Sequence, residues 1–488
     1  MKEYLTKTQN QAYTINGALA YRSTLSHVVD LFTLGGSYRD ASRTVMIEKL
    51  IVNALLEDTV SALKVIFYLS DIRQGQGNRD LFRNAFRVLL IRDIELTKKL
   101  LPYVAEFGRW DYLYWFMHTP LHKDALELFK HEIDCALKTG KPNLVFKWLA
   151  SEVATSKITR QNARYTREYL GLSPRNYRKL LSEGRKNLGS ALVERKMSSR
   201  DWGTIQYKQV ASIAMTRYTH AFTKHSPDLY ASYLEEVTAG YRKINANVLY
   251  PYNILHQYVL GHNNALEVKS LLAQWNALPN YVSEDVRTIA VVDNSGSMFG
   301  TPIEVALSLG IYLSERLSGP FKDSVISFSS IASFFDLSKF DTVFKKYEYI
   351  KNNSIVESTN LFSVFELILN TALKYHVPAD QLPNRIVIVS DMQFDSGVDD
   401  SGVLNHHLTT IKTKYADAGY DLPQVIYWNV SVYANNVPAT INDKGIILIS
   451  GYSPVILKNI LSSVINITPY QLMMKVINSP RYNFIEKL

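Results

Sequence analysis

Cysteine is nearly absent: Cys135 is the single one in 488 residues. With no second thiol there is no internal disulfide, which excludes a cysteine-stapled secreted scaffold and a cysteine-based zinc site and points to a reducing compartment. Glycine and proline are sparse as well, at 22 and 16 residues, and no tract is of low complexity. A collagenous or largely disordered chain is therefore excluded. No run approaches the roughly 18 uninterrupted apolar residues of a membrane span, and the opening MKEYLTKTQNQAYTING has no apolar core of a signal peptide. These absences describe a soluble, cytoplasmic protein without membrane contact. What is present is ordinary globular material, 47% hydrophobic and 20% charged, long enough for about two to four domains.

Charge is distributed unevenly. The formal net charge of +9 divides at Glu284 into +13 before it and −4 from it onward. Lys157 to Arg217 holds 14 Lys and Arg against Glu168, Glu183, Glu194 and Asp201, so 61 residues supply +10. Tyr165, Tyr169, Tyr177, Trp202, Tyr207 and Tyr218 are interleaved with these cations. A phosphate backbone requires cations that release condensed counterions, and unpaired bases require rings to stack on. The candidate nucleic-acid residues are Arg160, Arg164, Arg167, Arg175, Tyr177, Arg178, Lys179, Arg185, Lys186, Arg195, Lys196, Lys208 and Arg217. The competing explanation is a solvated helical surface whose aromatics face the core.

Residues 1–283 carry helical periodicity. VMIEKLIVNALL, DLFRNAFRVLLIRDIELTKKLLPYVAEFG and DALELFKHEIDCALK space apolar residues by three and four. Several such segments in series predict an all-α, helical-repeat domain of the HEAT-like solenoid kind, although no strict period is present. From 284 to 488 the pattern changes. TIAVVD, SVISFSS, RIVIVSD, QVIYWNVSV and GIILIS read as buried strands. PIEVALSLGIYLSERL, LFSVFELILNTALKYH, VLNHHLTTIKTKYA and SPVILKNILSSVI read as helices between them. This predicts an α/β domain with a Rossmann-like, doubly wound and mostly parallel sheet, which binds ligands at the carboxyl ends of its strands.

Asp293-Asn294-Ser295-Gly296-Ser297 stands at the end of the first of those strands. Ser358-Thr359-Asn360 opens a later helix, and Ser390-Asp391 ends RIVIVSD. Two carboxylates and three hydroxyls suit a hard cation that keeps some of its water, Mg²⁺ above all, with Mn²⁺ or Ca²⁺ as alternatives. These residues resemble the metal-ion-dependent adhesion site of von Willebrand factor type A domains. The resemblance implies Asp293, Ser295 and Ser297 as ligands from the first loop, Thr359 from the second and Asp391 from the third.

A second resemblance spans nearly the whole chain. IFYLSDIRQGQGNRDLFRNAF, VAEFGRWDYLYWF, FKWLASE, YRKLLSEGRKNL and ERKMSSRDWGTIQYKQVASIAMTRYTHAF look like a family of uncharacterised proteins joined to a von Willebrand A domain, as do PQVIYWNVS and GIILISGYSP. That family is distantly similar to the Ro (TROVE-module) RNA-binding proteins. In those, a ring of helical repeats is closed by the metal-bearing domain and binds structured RNAs and single-stranded ends. The resemblance implies an RNA-binding ribonucleoprotein component with RNA, small and structured or single-stranded, as its partner. The alternative is a protein-interaction scaffold whose metal accepts a carboxylate from an acidic protein partner, without nucleic acid.

Other motifs lead elsewhere. Asp71 to Asp80, DIRQGQGNRD, contains neither a dinucleotide fingerprint nor a Walker A sequence and follows no strand, so it reads as a tight turn. ITRQNARYTREYLGLSPRNYRKLLS reads as helix, turn, helix, with Ser173 as N-cap and Pro174 at the first helical position. The histidines are scattered without ligand spacing, and Ser295 and Ser297 have no base beside them in sequence. The chain reads as a non-enzyme.

Overall fold

A computed structural model describes residues 8–39, 43–261, 264–282, 287–396, 407–431, 436–461 and 466–488. Up to residue 282 the chain is mostly helical, and the remainder is built on a mixed six-stranded sheet.

Two short strands pair near the start of the described residues. β1 (Gln11–Tyr13) pairs antiparallel with β2 (Leu19–Tyr21), and the turn between them carries Asn16 and Gly17. Helices Thr44–Glu57, Thr59–Ser70 and Arg79–Arg92 then pack on one another. The long periodic stretch after Asp80 breaks into three helices, because Asp93 caps the second by accepting from Leu96 N–H at 2.8 Å and Pro102 precedes the third. In the basic segment, Lys157–Tyr169 and Pro174–Asn187 are helices. Ser173 Oγ accepts from the Asn176 N–H at 3.3 Å, the N-cap that the sequence predicts.

The sheet contains β3 (Thr288–Asp293), β4 (Ser324–Phe328), β5 (Ala332–Asp336), β6 (Arg385–Ser390), β7 (Gln424–Asn429) and β8 (Ile446–Ser450). Its spatial order is β5-β4-β3-β6-β7-β8, with β5 antiparallel at the edge and the other five parallel. Helices cover both faces, so β3, β4, β6 and β7 are buried at every residue, which is why they read as continuous apolar runs. Helix Thr301–Arg316 lies on β3 at Gly310, where a Cβ would stand 2.5 Å from a Val292 methyl. The predicted segment VLNHHLTTIKTKYA begins outside the described residues and continues as helix His407–Asp417; SPVILKNILSSVI ends outside them.

Sequence position 283/284 separates helical from sheet-containing sequence, but packing crosses it at both ends. Helix His27–Leu34 lies on β8, and Tyr21 bridges to Val437. The last turns, Pro480–Lys487, return to helix Thr59–Ser70, with Phe484 edge-on to Phe67 and Tyr482 edge-on to Tyr68. One hydrophobic core therefore runs from Ala18 to Ile485, and a second, separate core gathers Val193, Tyr207, Met215, Phe222, Tyr230 and Leu234. The Gly75-Gln76-Gly77 turn is a joint in the first core. Gln76 Nε2 donates to Tyr68 Oη at 3.0 Å, its Oε1 accepts from Ser453 N–H at 3.3 Å, and its carbonyl accepts from Tyr250 Oη and Arg39. A tight structural turn accounts for all of it.

Candidate functional site

The order of the strands places the predicted oxygens. β3 has β4 on one side and β6 on the other, so chain connections diverge at the β3/β6 pair, where a doubly wound sheet opens a crevice at its carboxyl edge. Asp293 is the last residue of β3, and Asp391 follows the last residue of β6. Adjacent parallel strands thus bring together two carboxylates that are 98 residues apart in sequence, both fully buried.

Local hydrogen bonds hold the loops. Asp293 Oδ1 accepts from Ser295 N–H at 2.9 Å and its Oδ2 from the Ser390 hydroxyl. Ser295 Oγ and Ser297 Oγ lie 3.2 Å apart. Thr359 is buried, its loop tied to the first by Gly296 N–H donating to Glu357 O at 3.1 Å. Asp391 Oδ1 accepts from Gln393 N–H at 3.1 Å, across Met392, whose φ of 65° is unusual for a residue with a side chain. The structure therefore brings all five predicted metal residues to one edge.

The electrostatics of this edge are unbalanced. Burial, then the neighbouring Asp391 charge, pushes the Asp293 carboxyl up to about 7. Burial also raises Asp391, opposed by the Ser297 hydroxyl and the Gln393 N–H. Asp391 Oδ2 is buried without a hydrogen-bond partner. A buried, unpaired carboxylate oxygen is costly unless a proton or cation meets it. Among the described residues no group of three or more His, Cys, Asp or Glu is assembled; the donors gathered at this edge are two carboxylates and three hydroxyls.

Two features of this edge are missed by the sequence reading. The N-terminal hairpin reaches it: Asn16 Nδ2 donates to Gln393 O at 2.6 Å and to Thr359 Oγ1 at 3.4 Å, Ile15 N–H donates to Gln393 Oε1, and Thr14 Oγ1 donates to Phe394 O. Hydrophobic side chains also stand out from the surrounding loops: Ile15 is 69% exposed, Phe299 90%, Ile331 60% and Val356 62%. Nothing in the local sequence marks them, because their proximity comes from loops that converge from four places in the chain.

The basic segment divides into two sets. Arg164, Arg175, Arg178, Lys186, Lys208 and Arg217 are exposed, and no side-chain partner holds them among the described residues. The others are engaged. Arg160 donates to Ala154 O and Thr155 O, Arg167 pairs with Glu152 at 2.8 Å, and Arg185 donates to Phe146 O and Leu149 O. Lys196 caps Thr204 O, and Lys179 and Arg195 make only long surface contacts, to Glu183 at 3.8 Å and Ser182 O at 3.5 Å.

Tyr177 is a correction. Its ring is completely buried and its hydroxyl donates to Ala150 O at 2.8 Å, so it builds the core and offers no face to a base. Tyr207 is buried in the second core, and Trp202 is stacked on His225. An exposed ring lies outside the segment instead: Tyr241, 85% exposed, beside Lys208, Arg242 and Lys243.

Comparison with known sequences gives similarity without an activity. Residues 287–475 match a domain of unknown function, DUF7788, which begins one residue before β3 and so includes every candidate metal residue. Residues 14–91 and 143–286 match a second domain of unknown function, DUF2828, starting at Thr14 of the hairpin and including the basic segment. Over 501 aligned residues the chain is 28% identical to "Uncharacterized protein L728" of Acanthamoeba polyphaga mimivirus, with 93% of this chain and 85% of that protein covered. Among the described residues no helix is long and apolar enough to cross a membrane.

Proposed function

We propose that this chain is a Ro-like RNA-binding protein: a HEAT-like helical region offers a basic surface to structured or single-stranded RNA, beside a von Willebrand A domain with a metal-ion-dependent adhesion site. The observation that carries the RNA reading is the set of six exposed, partner-free cations spread over residues 164–217. Cations that neutralise no protein carboxylate are free to replace the counterions of a phosphate backbone. The von Willebrand A reading is supported by the sheet order with its antiparallel edge strand and by donors converging at the β3/β6 crevice. Asp293, Ser295, Ser297, Thr359 and Asp391 would hold Mg²⁺, directly or through water, and the orphaned Asp391 Oδ2 fits that role. When bound, the ion supplies a positive centre, incompletely neutralised, that accepts an acidic oxygen.

RNA binding is tested by titrating single-stranded and structured RNA at several salt concentrations. Affinity should fall linearly with log salt. Millimolar affinity, or no salt dependence, overturns the reading.

A second reading, a metal-dependent protein scaffold, is favoured by the exposed apolar residues Phe299, Ile331 and Val356 around the same edge. A partner presenting a carboxylate among apolar side chains would cover them. Metal-dependent capture of a defined partner that survives nuclease and is lost in Asp293→Ala supports this reading; loss of all binding on nuclease treatment removes it.

A further inference from the structure

A cleft of about 650 Å³ opens between helices Val145–Trp148, Pro174–Asn187 and Val193–Ser198. Its walls carry four cations, Lys147, Arg178, Arg185 and Arg195, against one acid, Glu194. Among the described residues no ion pair ties Glu194 to any of them: its Oε1 accepts from the Tyr218 hydroxyl at 3.5 Å, and its Oε2 is buried without a hydrogen-bond partner, so the four cations outnumber one acid.

Arg185 is fixed in this wall. Its Nε donates to Phe146 O at 3.0 Å and its Nη2 to Leu149 O at 2.7 Å, so two carbonyls at the end of a short helix orient the guanidinium without cancelling its charge. Gly184, beside it, permits that approach, because a Cβ there would collide with the Phe146 ring. Burial lowers the Arg185 pKa, and the positive charge of Arg195 adds to the effect, which places the two cations within reach of each other's field. Arg178 has no partner among the described residues, and Arg195 makes only a 3.5 Å contact to Ser182 O. Like charges gathered in a partly desolvated concavity repel unless an anion enters. The planar, multi-donor guanidinium matches the oxygens of a phosphate better than a single ammonium does. The hydroxyls of Ser151, Ser182 and Ser198 line the same cleft and add neutral donors.

We propose that this cleft is a phosphate-binding site, with Arg185 as its fixed guanidinium and the exposed Arg178 and Arg195 as further anion donors. The phosphate is that of a bound RNA strand, so the inference rests on the RNA-binding reading above. The volume admits a nucleotide-sized group.

The test compares the full chain with the double variant Arg178→Gln/Arg195→Gln. Both positions are exposed, and an unchanged circular-dichroism melt shows that the variant folds. With a single-stranded RNA dodecamer, the variant should bind at least about tenfold more weakly, and its salt slope should fall by about 1.4, near 0.7 for each phosphate no longer neutralised. Wild-type binding with a variant that stays within twofold overturns the cleft and leaves RNA binding standing. If the wild type binds no RNA, the RNA reading falls, and inorganic phosphate decides the site. A phosphate-induced rise in Tm that is absent in the variant assigns the cleft to free phosphate. An equal rise in both proteins is general salt stabilisation, and it overturns the cleft as well.

Discussion

Arg481 closes on Asp71 across 410 residues of sequence, its Nη2 donating to Oδ1 at 3.0 Å, with the carboxylate fully buried. The Arg481 guanidinium also lies over the Phe107 ring, 4.4 Å from its centroid. Asp71 further accepts from Arg73 N–H at 2.9 Å, so the start of the glycine-rich turn and the end of the chain share one carboxylate. Removing one member of a buried pair leaves an uncompensated charge.

Arg481→Met should therefore lower the unfolding free energy by about 3–5 kcal/mol, read from urea denaturation. The paired variant Arg481→Met/Asp71→Asn should recover part of that stability, since it removes the stranded charge. A decrease below about 1 kcal/mol in the single variant, the range of an exposed ion pair, would show that the glycine-rich turn and the segment carrying Arg481 are not locked together by this pair.

The Asp293 and Asp391 pair gives the metal-free protein an unusual pH dependence. Both carboxyls are raised in the folded state, Asp293 to about 7, whereas in the unfolded chain they ionise near 3.8. Between these values the folded protein binds more protons than the unfolded one, so this pair's contribution to stability falls as pH rises through the window. A bound cation replaces the proton, so Mg²⁺ should stabilise more at about pH 8 than at about pH 5. Thermal melts with chelator and with Mg²⁺ at the two pH values check this. Asp293→Ala and Asp391→Ala should each abolish the Mg²⁺-dependent shift, and an unchanged shift in both refutes the metal assignment.

Asn16 extends the same argument to the N-terminal hairpin. Its carboxamide donates to Gln393 O and reaches Thr359 Oγ1, linking the second and third loops of the candidate centre. Groups that orient metal ligands typically matter by one or two orders of magnitude in affinity. Asn16→Ala should weaken Mg²⁺ binding about tenfold, measured by calorimetric titration, with little change in the Tm of the metal-free protein. Equal Mg²⁺ affinity in wild type and variant would reduce the hairpin to packing.

Legibility in the sequence follows the range of the interaction that fixes each feature. β3, β6 and β7 are evident because a strand buried on both faces must be apolar throughout. The Asp293 and Asp391 positions are evident because they end such strands. β5 is missed: Ala332–Asp336 mixes buried, half-buried and exposed positions at the sheet edge and is too short to establish a period. β1 and β2 are missed for a different reason. Three-residue strands have no local signature, and Gly17 and Tyr21 find their bridging partners at Asp395 and Val437, a separation no local pattern encodes. Helices Val343–Asn353 and Pro469–Ile477 are likewise unread, the first because its charged face dilutes the apolar one.

Tyr177 shows where compositional reasoning about the basic segment fails, and it supplies a discriminating experiment. It sits between Asn176 and Arg178 on an amphipathic helix, and one helical step of about 100° carries the chain from a buried ring to a solvated guanidinium. Charge and aromaticity interleave in sequence while they separate in space. Tyr177→Phe leaves Ala150 O without its hydroxyl donor and should cost about 1 kcal/mol of stability, with RNA affinity unchanged. Arg178→Gln, one residue on, should leave stability unchanged and weaken RNA binding. Arg185→Gln should lower stability and also weaken RNA binding, since its guanidinium holds two backbone carbonyls as well as facing the cleft. Denaturation midpoints and RNA affinities for the three variants separate these outcomes, and weakened RNA binding in Tyr177→Phe with its fold intact would return the tyrosine to the interface.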